Sequence, residues 1–474
     1  MDGIQLMDAP TRVSYDPAQH RGRTFHDVLP DFLAGRDDPR AYLERCLETI
    51  DLREPEVRAF VTTNVSAARE AADAARARYR AGVPLSPVDG MPIAVKDLYE
   101  TADMPTQMGS PIFNGWRTNR DAASVHALRT GGAVVIAKAV TTEFGFYNPG
   151  PTTNPFARER TPGGSSSGSA AAVGAGMIPA AIGSQVIGSL IRPASFCGNH
   201  GFKPTLGALN RQGGHSGLSQ ATIGVHAASL EDIWATAYQI ASVVGGDPGA
   251  PGLYGEAKLA RGLRPERLIG LQKVGRSACS PDTQAQLEWA LHALEESGVR
   301  IVTGRDDREV AELDEALLEA RTISDAICGY ELRWPLAHYR EKYPDLLSDD
   351  ISKRLDRWLT ISPQEYRMMI DRRQQVRARF EALEAVSDGI VTLAATGAAP
   401  IGLSSTGDPI LAVMSSLLGA PAVTLPVLSV EAMPLGLQLI SFAHRDWRLL
   451  GMAMWVEQCL LHAAGRPYSR EPKS

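Results

Sequence analysis

Three stretches of this 474-residue chain set reactive side chains at spacings that could do chemistry. Lys96 ends the apolar run 91–95 and is followed by Asp97. An amine there acts as a base only if its ammonium form is destabilised; otherwise it is a strand-end lysine reaching for water. Gly163-Gly164-Ser165-Ser166-Ser167-Gly168-Ser169 offers a cluster of hydroxyls. Its composition is that of a linker, yet it runs directly into Ala170-Ala171-Ala172-Val173, small residues that suit a packed helix. Gly183-Ser184-Gln185-Val186-Ile187-Gly188-Ser189 sets a serine beside glycines that permit tight turns and close backbone approach.

Other patterns fail on their surroundings. Ile93-Ala94-Val95-Lys96 and His444-Arg445-Asp446 look like kinase fragments, but no Gly-rich loop precedes the first and no Asp-Phe-Gly follows the second. Gly164-Ser165-Ser166-Ser167-Gly168 fits a nucleophile elbow, which needs a strand before it. Residues 154–162 hold Pro155, Pro162 and Arg158-Glu159-Arg160 instead. The glycines of 183–188 have phosphate-loop spacing, but Ser189 stands where the lysine belongs. No His-Glu-x-x-His or comparable spacing predicts a metal, and the ten histidines are dispersed.

The elements that must hold these stretches read as follows. Helices are predicted over 41–52 and 64–82, within a helical first 85 residues, with Asn64 as N-cap and Gly82 as stop. From residue 88, strand-like runs at 91–95, 133–139, 178–182 and around Phe202 alternate with helical stretches at 122–130 and 229–244, the α/β texture. Long charged helices are predicted over 282–297, 307–328 and 363–385. Strand-like runs return at 390–393, 422–427 and 435–440, before a final helix over 446–463. The expectation is one α/β core, 86–245 with 391–474, preceded by the helical segment 1–85 and interrupted at 250–390 by a variable helical block or lid.

Hydrophobic residues make up 44% and charged residues 22%, the proportions of a folded globular chain. A net charge of −6 leaves no basic stripe to attract nucleic acid. Residues 1–10 lack the basic-then-apolar order of a secretory signal, and no run of about 18 apolar residues predicts a membrane span. The five cysteines (Cys46, Cys197, Cys279, Cys328, Cys459) are scattered and form no C-x-x-C pair. That predicts neither a disulfide framework nor a zinc site and fits a reducing cytoplasm.

In this order, residues 163–193 resemble the segment that defines the amidase signature family. The resemblance runs through Asp89-Gly90-Met91-Pro92-Ile93-Ala94-Val95-Lys96-Asp97, Thr142-Glu143-Phe144, Phe196-Cys197-Gly198, Gly201-Phe202-Lys203-Pro204-Thr205 and Met433-Pro434-Leu435-Gly436-Leu437-Gln438. It implies a single large domain whose mixed β-sheet carries helices on both faces. It implies a Ser–cisSer–Lys triad falling on Ser189, Ser165 and Lys96, with a cis peptide before Ser165. It further implies an amidohydrolase that cleaves a small carboxamide through an acyl-enzyme on Ser189, with no cofactor and no metal. The backbone N–H groups of Val186, Ile187, Gly188 and Ser189 would form the oxyanion hole. The chemistry is coherent: burial away from carboxylates would leave Lys96 neutral, able to take a proton relayed through Ser165. Met108, Phe144, Tyr147, Gly163 and Gly164 are expected to touch the substrate. The expected partner is a small amide, with no nucleic acid and no membrane; homodimers are common in the family, and the sequence leaves open whether this chain forms one. The alternative is a non-catalytic or partner-dependent chain, such as the amidase-like subunit of a tRNA-dependent amidotransferase.

The chain departs from the commonest signature. Gln185 stands where Asp is usual, Ile187 where glycine is usual, and Ile191 where Arg is usual, with Arg192 one place later. Losing both members of an Asp–Arg pair avoids leaving one charge buried alone. Ile187 is expected to narrow the acyl pocket, and Ser167 replaces a further glycine. These changes weigh against the tRNA-dependent subunit, which usually keeps the Asp, both glycines and the Arg.

Overall fold

Eleven strands form one sheet in the computed structural model, which describes residues 14–465. Residues 1–10, expected to hold no secretory signal, lie outside the described residues, as does the chain beyond 465. The strands are β1 (Phe60–Thr63), β2 (Pro92–Lys96), β3 (Val134–Ala139), β4 (Ala180–Gln185), β5 (His200–Lys203), β6 (Thr222–Ala227), β7 (Arg267–Gly270), β8 (Arg300–Val302), β9 (Ile390–Leu393), β10 (Ala422–Val430) and β11 (Met433–Ile440). Their order is β1-β3-β2-β4-β6-β5-β10-β11-β9-β7-β8. β2 runs parallel to β3 and β4, and β7 parallel to β8 and β9; the remaining pairs are antiparallel.

The central strands read as unbroken apolar runs because both faces of the sheet are buried. Ile93 and Val95 of β2 join one cluster with Val225, Trp234 and Ile240. Ala94, between them, joins a second cluster with Val134, Ala172 and Ala181. The helices Pro39–Val57, Val65–Arg80 and Ser167–Gly174 bury residues in this second cluster, while Leu230–Val244 and Asp446–Ala463 pack in the first. The fold is therefore a single-domain α/β architecture, a large mixed sheet flanked by helices, as the sequence predicted. Asn64 caps Val65–Arg80 by accepting from Ala67 N at 3.3 Å, and Gly82 ends that turn at φ +74°. No helix among the described residues is long and apolar enough to cross a membrane.

Two features were not predicted. β1 lies inside the helical first 85 residues, a four-residue edge strand whose residues alternate between half-buried and exposed. The block 250–390 also contributes β7 and β8, joined by the helix Pro281–Glu296, so the sheet continues through it. Within that block the stretch 307–328 is two helices, Arg308–Leu317 and Ala320–Lys342, and a further helix spans Asp349–Leu359.

The two-residue strand period sends Lys96 to the face of Ala94 and its neighbour Asp97 the other way. There Asp97 meets Lys138 of β3 at 2.9 Å, both side chains fully buried. Lys138 also donates to Pro105 O and Thr106 Oγ, and Asp97 accepts from Gln107 N. Removing one partner leaves a buried charge without its counterion. Lys138→Met should lower the unfolding free energy in denaturant by about 3–5 kcal/mol, and adding Asp97→Asn should recover most of it. A single variant as stable as the wild type would show that the pair carries no charge.

Candidate active site

Lys96 is the last residue of β2 and is fully shielded from solvent. Its Nζ lies within hydrogen-bond distance of Ser165 Oγ at 2.7 Å, Ser184 Oγ at 2.9 Å and Ser166 Oγ at 3.0 Å. It forms no ion pair among the described residues, since Asp97 is taken up by Lys138. Desolvation without a compensating carboxylate holds its pKa well below the ordinary lysine value.

The Gly/Ser run that supplies two of these hydroxyls is a packed element. The Gly164–Ser165 peptide is cis, and the helix Ser167–Gly174 begins two residues later. A side chain at Gly168 would place its Cβ 2.1 Å from Ala59 O, and one at Gly174 would sit 2.1 Å from Cys197 O. Small residues thus let this helix lie against neighbouring backbone. Ser166 Oγ donates to Ser184 O at 3.1 Å, which ties the run to β4. Ser167, the replaced glycine, donates to Val140 O at 3.2 Å and is directed away from Lys96.

β4 ends at Gln185, and the chain turns through 186–190 into the short helix Ile191–Phe196. The buried Gln185 amide organises this turn. Its Oε1 accepts from Leu190 N at 2.9 Å and Ile191 N at 3.1 Å. Its Nε2 donates to Ser415 Oγ and Ser416 Oγ at 3.1 and 3.0 Å. Two carbonyls of the turn are also held: Val186 O accepts from Gln220, and Ile187 O from Ser416. The N–H groups of residues 186–189 donate to no backbone or side-chain acceptor among the hydrogen bonds of the described turns and loops. Ser189, 9% exposed, forms no hydrogen bond through its hydroxyl among the described residues.

Ser189 opens into a cleft of about 280 Å³, whose walls include Gly145, Tyr147, Ile187, Arg192, Arg321 and Arg354. The loop 404–407 and Pro409 close another side. A Cβ at Gly145 would come within 3.7 Å of Ser165 Oγ, so Ser165 lies just behind this wall. Ile187 lines the cleft and packs with Val186, Phe146 and Leu332.

Of the five residues expected at the substrate, Tyr147 lines the cleft and four do not. Met108 is buried in the core beside it, and Phe144 stacks on Tyr339 with ring centroids 5.4 Å apart. Gly163 abuts Pro193, and Gly164 offers its carbonyl to Arg192 at 2.7 Å. Sequence reading missed Ser166 and Ser184 as partners of Lys96, although both lie in the stretches it singled out. It also missed the loop 404–407, whose Ser404-Ser405-Thr406-Gly407 composition marks a turn, and Arg321, Asp350 and Arg354 of the helical block. Among the described residues, no three His, Cys, Asp or Glu side chains are grouped as for a metal ion.

Residues 41–450 match the family model described as Amidase. The chain is 32% identical to the A-subunit of the glutamyl-tRNA(Gln) amidotransferase of Symbiobacterium thermophilum, over 92% of this chain and 96% of that relative. Its fold matches the native peptide amidase of Stenotrophomonas maltophilia with a TM-score of 0.73 and 25% identity, covering 95% of this chain and 97% of that one. It also matches, with a TM-score of 0.81, 26% identity and coverage of 94% and 99%, a chain from a vestigial protein complex bearing on the origins of an s-triazine catabolic enzyme. The expectation of a small amide as sole partner, with no nucleic acid, is corrected here: relatives matched over most of their length are named as subunits of an amidotransferase of glutamyl-tRNA(Gln). With the model spanning most of its length and these relatives aligned nearly end to end, the chain belongs to the Amidase family, the enzymes of the amidase signature.

Proposed function

We propose that this chain cleaves a carboxamide C–N bond through an acyl-enzyme on Ser189, with Lys96 as the ultimate base and Ser165 as the relay. The observation that carries this reading is the fully buried amine of Lys96 among three hydroxyls, with no carboxylate partner among the described residues. A neutral amine has two hydrogens and one lone pair, so one of its three contacts must run from hydroxyl to nitrogen. Ser166 spends its hydrogen on Ser184 O. That leaves Ser165 or Ser184 to supply the hydrogen; in the relay it is Ser165, so that Lys96 donates to Ser166 and Ser184 and accepts from Ser165, the direction a base requires. Ser165 takes the proton of Ser189 as Ser189 Oγ attacks the carbonyl carbon. The free N–H groups of 186–189 stabilise the negative charge that develops on the carbonyl oxygen. The C–N bond breaks as Ser165, reprotonated by Lys96, protonates the leaving nitrogen. Water then adds to the acyl-enzyme by the same relay, releasing the acid and restoring Ser189.

The five free cysteines fit a reducing compartment, and we place the chain in the cytoplasm. A second reading is favoured by the names of the relatives: a subunit whose released ammonia serves a partner enzyme. Ammonia release from simple amides by the isolated chain supports the first reading, and turnover only with added partner subunits supports the second.

A neutral fluorophosphonate should label the chain, and Ser189→Ala should abolish labelling. Loss of the base, Lys96→Met, should slow labelling by about 10²–10⁴-fold. Because the neutral amine is the active form, the wild-type rate should rise with pH through an ionisation displaced below the ordinary lysine value. A rate that falls as the pH rises contradicts this assignment. Gln185→Leu keeps the bulk but removes the acceptor of two buried N–H groups. It should cost about 1–3 kcal/mol of stability for each N–H left orphaned and slow Ser189 labelling about tenfold. Wild-type labelling in that variant would show that the turn holds its shape without the amide.

A further inference from the structure

The turn that bears Ser189 meets the cleft with a large side chain at 187 beside a glycine at 188. Neither residue adopts a positive φ, so the backbone itself calls for glycine at neither position. At Gly188 the reason is space: a Cβ there would lie 3.0 Å from both Pro409 Cβ and Ala412 Cβ. Pro409 thus closes the cleft against one side of the turn. Ile187 stands where glycine is usual in the signature, and it is half-buried in the cleft wall. Its side chain packs with Phe146 and with Leu332 of the helix Ala320–Lys342. Phe146 in turn meets Trp358 edge-on, with ring centroids 6.2 Å apart, and a Cβ at Gly329 would lie 2.1 Å from the Trp358 ring. Ser416 Oγ donates to the Ile187 carbonyl at 3.2 Å, and a β-branched residue has little freedom at χ1. The wall at Ile187 is therefore stiff, keyed on one side into the turn and on the other into the docked helices.

We propose that Ile187 sets the size of the acyl group, restricting the enzyme to primary amides whose carbon next to the carbonyl is neither branched nor aromatic. This rests on the reading of Ser189 as nucleophile and of the 186–189 N–H groups as the cradle of the carbonyl oxygen. An oxygen held by this turn brings its carbonyl carbon to Ser189 Oγ, and the next carbon of the acyl chain then faces the side chains of the turn. Val186 is turned into a buried cluster with Leu218, Ala221 and Cys328, and Gly188 has no side chain, so the bulk that carbon meets is that of Ile187. A packed wall admits an added methyl or ring only by shifting rotamers and backbone. With ammonia as the leaving group, all the bulk of the substrate belongs to the acyl part. The reaction balances as a hydrolysis: the C–N bond breaks, Ser189 Oγ holds the acyl group, water replaces it, and the products are the short acid and ammonia.

The test compares kcat/KM for ammonia release from propanamide, 2-methylpropanamide and benzamide. The wild type should use propanamide about tenfold better than 2-methylpropanamide and about 100-fold better than benzamide. Ile187→Ala keeps the backbone N–H and should cut the preference over benzamide to about fivefold, with Ile187→Val between the two. A variant that merely loosened the turn would slow all three amides together and leave their ratios in place. Equal use of the three amides by the wild type, or unchanged ratios in Ile187→Ala, overturns the proposal. A second measurement needs neither a variant nor an amide. Methanesulfonyl fluoride and benzenesulfonyl fluoride each lose fluoride as Ser189 Oγ bonds to sulfur and the serine proton passes to the relay, and the group on sulfur takes the acyl position. With each rate divided by that of the reagent's reaction with hydroxide, the methyl reagent should modify wild-type Ser189 about 100-fold faster, while equal rates overturn the proposal. Failure of both reagents to modify Ser189, read by mass spectrometry, defeats the nucleophile reading itself; modification without a size preference defeats only the role of Ile187.

Discussion

Burying the amine of Lys96 away from any carboxylate is the constraint that organises the centre of this molecule. An ammonium has to be fully desolvated there, and a single nearby carboxylate would restore it. The chain places an aspartate at the next position, which makes the problem acute. Strand alternation solves it, because Asp97 faces the opposite side of the sheet and Lys138 meets it there. Three serine hydroxyls then satisfy the polar needs of the amine without offering it a charge. The approach of those hydroxyls requires a helix of glycine, serine and alanine, since any larger residue at Gly168 or Gly174 would strike backbone oxygen. The composition that suggested a linker is therefore a packing requirement imposed by the lysine.

The neutral character of the site extends to the turn that bears Ser189. An acidic residue at 185 would need a cationic partner to be tolerable in a fully buried position. Gln185 fixes the turn with dipoles alone: its oxygen takes two N–H groups from the start of the next helix, and its nitrogen serves the hydroxyls of Ser415 and Ser416. Ser416 in turn anchors Ile187 O. With its carbonyls engaged elsewhere, the turn is left with four N–H groups that find no acceptor among the described residues. Arg192, released from any need to neutralise an acid at 185, braces the carbonyl of Gly164 and reaches the cleft wall.

What the sequence revealed follows the range of the forces involved. β2, β3, the capped helices and the final helix Asp446–Ala463 are legible because periodicity and caps are local. The two serine runs and Lys96 are legible as types in order, although only the sheet can bring Lys96 to Ser165, 69 positions away. The short strands β1, β7 and β8 carry three or four residues each, too few for a period to stand out from charged helical surroundings. Met108 and Phe144 were placed at the substrate because they neighbour motifs in the chain. Both adopt positive φ, 55° and 51°, in tight turns that bury their side chains in the core. Arg321 and Arg354 have no local signature, for their place in the cleft comes from helices that dock from far along the chain.

That docking divides the cleft by origin. The groups proposed to do chemistry come from β2, the Gly/Ser run and the turn after β4, all in the most buried region of the sheet. Much of the polar wall opposite comes from the helices Ala320–Lys342 and Asp349–Leu359 and from the loop 404–407. The wall residues bring their own counterions, so they can change in pairs without altering the charge felt by Lys96. Arg192 is different, because it belongs to the segment that bears Ser189 and forms no ion pair among the described residues, bracing Gly164 O and Thr406 instead.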